Sequence, residues 1–121
     1  MIDLHIHTNN SDGSSNVKEV LEEAERLSLN CISITDHDSV AAYDELIDFK
    51  IRTIFNGTII NGCEITTTYN GEIIEVLAYG FDILLMKELL NENVLNFEQK
   101  QLKEFELMKK RYKQRYCGFF K

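Results

Sequence analysis

The sequence predicts an α/β fold with a mostly parallel sheet, either open or curled into a barrel. Three observations predict it. Segments of strand-like and helix-like periodicity follow one another as strand, helix, strand, helix, strand. Turn residues separate them, and no internal repeat or low-complexity stretch interrupts the order. The 121 residues suffice for one small domain or a piece of a larger one.

Met1 to Thr8 alternates cleanly, with Ile2, Leu4 and Ile6 on one side and Asp3, His5 and His7 on the other. That is the two-residue period of a strand. Asn9 to Asn16 is turn chemistry throughout. Asn16 and Glu19 make a capping pair for a helix whose apolar positions are Val17, Val20, Leu21, Ala24 and Leu27. Cys31 to Thr35 reads as a second, buried strand. The loop Asp36-His37-Asp38-Ser39 then caps a second helix, with Val40, Tyr43, Leu46 and Ile47 as its stripe. Asn56-Gly57 marks a turn, and Thr58 to Thr66 reads as a third strand. A hairpin turn at Asn70-Gly71 leads into a fourth strand, Glu72 to Tyr79. From Ile83 to Tyr116 there is no proline or glycine, which predicts one long helix or two broken near Asn91–Asn96. Residues 1–82 and 83–121 therefore form two segments, the second belonging to the same domain or inserted in it.

Composition is that of an ordinary globular chain, 44% hydrophobic and 27% charged. No apolar run approaches the roughly 18–20 residues that span a bilayer, and no signal peptide is expected. Cys31, Cys63 and Cys117 form no CxxC pair, which argues for a reducing, cytoplasmic setting. Charge is uneven: residues 1–99 carry 5 basic and 18 acidic side chains, residues 100–121 carry 8 and 2. The basic tail is either a solvated helix face or a contact for a polyanion.

Chemistry concentrates in the first half. Asp3, His5 and His7 cannot share a hydrocarbon core without partners, so that face meets water or a cation. An H-x-H pair alone does not separate these readings. The chain's third and last histidine, His37, sits beyond the second strand, where parallel α/β folds place ligands. Glu64, read as lying near the end of the third strand, is suited to bridging two cations. Asp12, on the Ser11-Asp12-Gly13 turn, adds an oxygen donor or simply closes an Asx turn. Mixed imidazole and carboxylate donors suit Zn²⁺, Mn²⁺ or Fe²⁺ rather than Ca²⁺. No serine or cysteine with a partnered histidine is evident, and neither a Walker loop nor GxGxxG occurs.

Asp3-Leu4-His5-Ile6-His7-Thr8 with Ser11-Asp12-Gly13, then Ile34-Thr35-Asp36-His37-Asp38, then Asn61-Gly62-Cys63-Glu64-Ile65-Thr66, resembles the first motifs of the PHP (polymerase and histidinol phosphatase) family. The resemblance runs from Met1 to about Asp82. It implies a distorted (β/α)₇ barrel with two or three divalent ions, hydrolysing phosphate esters by a metal-activated water. It implies that His5 and His7 bind one ion, Asp12 and His37 another, and that Glu64 bridges, with Asp36 and Asp38 orienting His37. Individual catalytic residues beyond these ligands are not implied. Glu75 stands where many members carry a histidine ligand, and the family's later motifs lie beyond Lys121. The expectation is a partial barrel of about four strands followed by a long helix. Its substrate would be a small phosphorylated molecule or a nucleic-acid end, with no membrane partner. The alternative expectation is a non-catalytic metal-binding or interaction module that self-associates through its half-barrel surface.

Overall fold

A computed structural model describes residues 1–115. The first strand, β1 (Ile2–Ile6), pairs in parallel with β2 (Cys31–Ile34), which pairs in parallel with β3 (Thr58–Ile59). Between β1 and β2 runs α1 (Val17–Arg26). Its start is fixed locally: Asn16 Oδ1 accepts from Glu19 N at 2.9 Å, and Glu19 Oε2 accepts from Asn16 N at 2.9 Å. Val17, Val20, Leu21 and Ala24 are buried, but Leu27 caps the helix C-terminus and stays half-exposed.

The alternation expected of β1 is broken once. Asp3 pairs with Ile32 and Ile6 with Ile34, so β1 uses three steps where β2 uses two. The extra residue is a bulge at Leu4–His5, a device that re-aims side chains at a sheet edge.

After β2 the expected second helix is shorter and followed by another. Helix α2 (Ala41–Glu45) buries Val40 at its start together with Ala42 and Tyr43, while Ile47 is 81% exposed. The N-cap position is Val40, which makes no side-chain cap bond, so the expected capping by Asp36–Ser39 is reduced to Ser39 Oγ accepting from Ala41 N at 3.2 Å. Asp48 Oδ1 accepts from Lys50 N and opens a separate single turn, α3 (Phe49–Arg52).

The expected third strand is in fact two. After β3, the chain leaves the parallel sheet and re-forms as β4 (Gly62–Tyr69), which pairs antiparallel with β5 (Glu72–Tyr79). The break lies where the Tyr43 hydroxyl sits between Ile60 O and Gly62 N, at 3.1 and 2.7 Å, and so replaces strand–strand bonding. Asn70 and Gly71 form the hairpin turn with φ of 50° and 79°, and β5 occupies the expected range. Both faces of β5 are largely exposed.

Helix α4 (Ile83–Arg115) begins with Leu85 N donating to Asp82 Oδ1 at 3.0 Å. Of its expected stripe, Leu90 is buried while Leu85, Leu89, Leu102, Phe105 and Met108 are exposed. The side chains of Val94 and Tyr112, and Tyr116 and Cys117 entirely, lie outside the described residues. The chain packs as two units, Met1–Leu90 and Asn91–Lys121. The first holds the core, in which Leu21, Ile32, Ile34, Phe55 and Cys63 are fully buried. Among the described residues no helix is long and apolar enough to cross a membrane.

Candidate metal centre

Four elements of the first unit bring the five expected residues together. His5 lies in β1 and His7 just beyond it, Asp12 on the following turn, His37 after β2, and Glu64 in β4. Glu64 arrives by backbone pairing. Its N–H donates to Asp36 O at 3.1 Å and its carbonyl accepts from Asp38 N at 2.9 Å, making an isolated parallel bridge between His37 and Glu64. Glu64 is thus the third residue of β4 rather than the end of a third strand. It still stands level with the C-terminal end of β2.

One carboxylate oxygen is the focus. Glu64 Oε2 lies 3.1 Å from His5 Nε2, 2.9 Å from His7 Nε2 and 3.7 Å from His37 Nε2. Asp12 closes the other side, with Oδ1 2.8 Å from His7 Nδ1 and Oδ2 3.1 Å from His37 Nε2. The imidazoles crowd accordingly, their centroids 5.1 Å apart for His5 and His7 and 4.5 Å for His7 and His37. Glu75 Oε1 stands 3.7 Å from His37 Nδ1.

Glu64 is only 7% exposed, and among the described residues no lysine or arginine pairs with it or with Asp12. Desolvation alone would push the Glu64 carboxyl up. The hydrogen bond from His5 and the nearby His37 and His5 rings outweigh it and hold the group below its ordinary value. Asp12 shows the same balance, with His7 and His37 overcoming desolvation.

The separations fit a cation. Ligand bonds of about 2.0–2.1 Å place neighbouring donors roughly 2.8–3.0 Å apart around an octahedral ion and roughly 3.3–3.4 Å apart around a tetrahedral one. The N···O distances, 2.8–3.7 Å, overlap those edge lengths. The candidate donor sets are His5–His7–Glu64, His7–Asp12–His37 and His37–Glu64–Glu75, each with its atoms within 4.8 Å of one another.

The loop carrying Asp12 is held by a residue whose role the sequence did not disclose. Asp36 is buried and its carboxylate accepts from Thr8 N at 2.6 Å, Thr8 Oγ1 at 2.7 Å and Ser11 Oγ at 2.8 Å. Asp38 Oδ1 accepts from Thr66 N at 2.9 Å. Among the described residues neither aspartate's side chain is hydrogen-bonded to His37, contrary to the expected orienting role; the ring instead faces Asp12 Oδ2 at 3.1 Å and Glu75 Oε1 at 3.7 Å. Thr8 and Ser11 carry no sequence signal of this role. Their hydroxyls are ordinary turn residues until the fold brings Asp36 beneath them.

Gly13 completes that turn. Its N–H donates to Thr8 O at 2.9 Å, and a Cβ there would lie 2.3 Å from His7 O. The near atom is backbone, so a side chain must shift the turn. We expect Gly13→Ala to cost about 1–3 kcal/mol in thermal unfolding. It should also weaken binding of Mn²⁺ measured by calorimetry, because Asp12 moves with the turn. Unchanged binding in this variant would mean that Asp12 contributes nothing to the site.

Cys63 offers no alternative chemistry. It is fully buried, and burial pushes its thiol up to about 11.

Fold and site define an α/β protein with a cluster of imidazoles and carboxylates beyond the ends of two parallel strands. The chain belongs to the PHP domain family, whose model matches residues 3–119. A 5′-3′ exoribonuclease from Escherichia coli is 32% identical over 90 residues, which cover 73% of this chain and 31% of that one. A 3′,5′-nucleoside bisphosphate phosphatase from Chromobacterium violaceum is 27% identical, over 67% of this chain and 28% of its own. Among solved structures, a protein assigned as a metal-dependent phosphoesterase from Bifidobacterium adolescentis superposes with a TM-score of 0.65 at 27% identity. That match covers 75% of this chain and 32% of the other. The chain spans under a third of the length of these curated relatives.

Proposed function

We propose that this chain carries the metal-binding part of a phosphoesterase site. It acts on a phosphate ester of a small phosphorylated molecule or of a nucleic-acid end. The observation that carries the reading is the convergence of three imidazoles on one oxygen, Glu64 Oε2, with Asp12 closing the far side. Divalent Zn, Mn or Fe ions bound there, two or three in the complete site, supply Lewis-acid neutralisation of phosphate oxygens and lower the pKa of water. His5 and His7 hold one position, Asp12 and His37 a second, and Glu64 joins them. Glu75 is the additional oxygen donor beside His37. The named activities of the relatives, an exoribonuclease and a nucleoside bisphosphate phosphatase, favour a nucleotide-type substrate.

The same reading takes the parallel strands and hairpin as part of a distorted (β/α)₇ barrel completed by further polypeptide. The 28–31% coverage of the relatives supports this. A cytoplasmic setting accords with Cys31 and Cys63, which are both free thiols. The second reading is an interaction module that self-associates, and the exposed Ile73, Ile74, Val76 and Leu77 of β5 favour it.

Elemental analysis and a Mn²⁺-dependent assay on a generic phosphate ester test the first reading. The intact protein is expected to carry metal, and His5→Ala and His37→Ala to lose most of it. Unchanged metal content in both variants would sink the proposal. A 5′-phosphorylated oligonucleotide and a nucleoside bisphosphate in parallel separate the two substrate classes. Solution mass addresses self-association.

A further inference from the structure

We infer that Tyr43 is a positioning residue for Glu64: its hydroxyl pins the backbone that delivers the carboxylate to the three imidazoles. The inference rests on the metal-centre reading and adds to it a group outside the ligand set.

Tyr43 lies on α2 and is 7% exposed. Its hydroxyl is 2.6 Å from Ile34 O and 3.1 Å from Ile60 O, and accepts from Gly62 N at 2.7 Å. These partners sit at the end of β2, just past the end of β3, and at the start of β4. A single phenol therefore ties three strand ends together.

The need for it comes from the path of the chain. Ile60 N still donates to Ile32 O at 2.9 Å, and Glu64 N already donates to Asp36 O at 3.1 Å. Between these two anchors the chain must step out of register, and Gly62 N would be a buried donor with no strand to meet. The phenol oxygen meets it. From the other side Gly62 is confined by Ser33, since a Cβ at Gly62 would fall 2.1 Å from Ser33 Oγ and 2.8 Å from Thr35 Cγ2. Glu64 is two residues further along the strand, so its side chain leaves on the same face as position 62. Whatever fixes Gly62 fixes the origin from which Glu64 reaches His5 and His7. Burial pushes the Tyr43 phenol above its ordinary value, which keeps its proton available to the two carbonyls.

Tyr43→Phe keeps the ring and removes only the oxygen. Two measurements on the full chain test the role, with Val20→Ala, a buried α1 position outside the ligand set, as a core control. In amide hydrogen exchange, Tyr43→Phe should speed exchange at Gly62, Glu64 and Asp38 about tenfold or more relative to β2 and α1. In titration with Co²⁺, its affinity should fall about 10–100-fold, the range for residues that hold metal ligands in place, with a changed visible spectrum. Gly62→Ala, which disturbs the same point from the other side, should give the same spectral change. Val20→Ala should lose stability while keeping the wild-type Co²⁺ spectrum.

Exchange that rises uniformly in Tyr43→Phe as in Val20→Ala, with Co²⁺ affinity and spectrum unchanged, would overturn the inference and leave Tyr43 an ordinary core residue. Should the wild-type chain bind no Co²⁺ while exchange still rises locally, the metal-centre reading falls and the pin on Glu64 stands.

Discussion

Glu64→Gln is expected to abolish metal retention and any phosphate-ester hydrolysis while leaving the chain folded. The substitution keeps volume and all backbone bonding, so the exchange of hydrogen bonds with Asp36 and Asp38 survives. The loss is the anionic oxygen that faces His5, His7 and His37 at 3.1, 2.9 and 3.7 Å. An amide presents at most one neutral oxygen there, and its NH₂ cannot bind a cation. Disturbing a group that merely supports a ligand costs about 10–100-fold in metal affinity, so loss of a shared ligand should exceed roughly 100-fold. The geometry also ranks the variants. The His5 ring touches only Glu64, whereas His7 and His37 each touch Glu64 and Asp12, and His37 also meets Glu75. Metal content by elemental analysis should fall in the order Glu64→Gln, then His7→Ala or His37→Ala, then His5→Ala. Unfolding temperatures within a few degrees of wild type would show that the fold is intact. A Glu64→Gln chain that retains wild-type metal would remove the carboxylate from the centre.

Much of this candidate site was legible because charge is expensive on an apolar strand. His5 and His7 stood out against Ile2, Leu4 and Ile6, and the Asn16–Glu19 cap was readable because both partners lie within one turn. The Asn70-Gly71 pair placed β5 to the residue for the same reason: a two-residue turn fixes the register of the strand it introduces. Local chemistry writes itself into local sequence.

The features hidden in the sequence depend on partners far along the chain. Thr58 to Thr66 reads as one strand, since nothing in it signals a break. The break is set by a phenol 19 residues earlier, which intercepts Gly62 N. Tyr43 itself reads as one more member of an apolar stripe, because periodicity reports its ring and not its hydroxyl. The bulge in β1 is silent for a related reason: an extra residue in the ladder shows only against the register of β2. Asp36 is misleading by proximity. It neighbours His37 in sequence, yet its side chain turns to the interior, where Thr8 and Ser11 wait 28 and 25 residues away.

That interior contact makes Asp36→Ala the substitution with the largest expected cost to folding. Three donors converge on one buried carboxylate, at 2.6, 2.7 and 2.8 Å. Hydrogen bonds to a charged group contribute about 1.5–3 kcal/mol each, and they are not additive when they share an acceptor. Truncation also strands Thr8, which is fully buried and has nowhere else to donate its N–H. The expected loss is about 3–5 kcal/mol, enough to lower the unfolding temperature by more than roughly 10 °C in a domain this small. Asp36→Asn separates geometry from charge. Its amide can accept from Thr8 N through oxygen and donate to Thr8 Oγ1 through nitrogen, so it should cost only about 1–2 kcal/mol. Both variants should loosen the Thr8–Gly13 turn and, with it, Asp12. Calorimetric unfolding and Mn²⁺ titration together decide the matter. Equal losses for Asn and Ala would show that the negative charge, not the shape of the carboxylate, holds the turn. No loss in either would mean that Thr8 and Ser11 find water instead, and that the lock on the metal loop lies elsewhere.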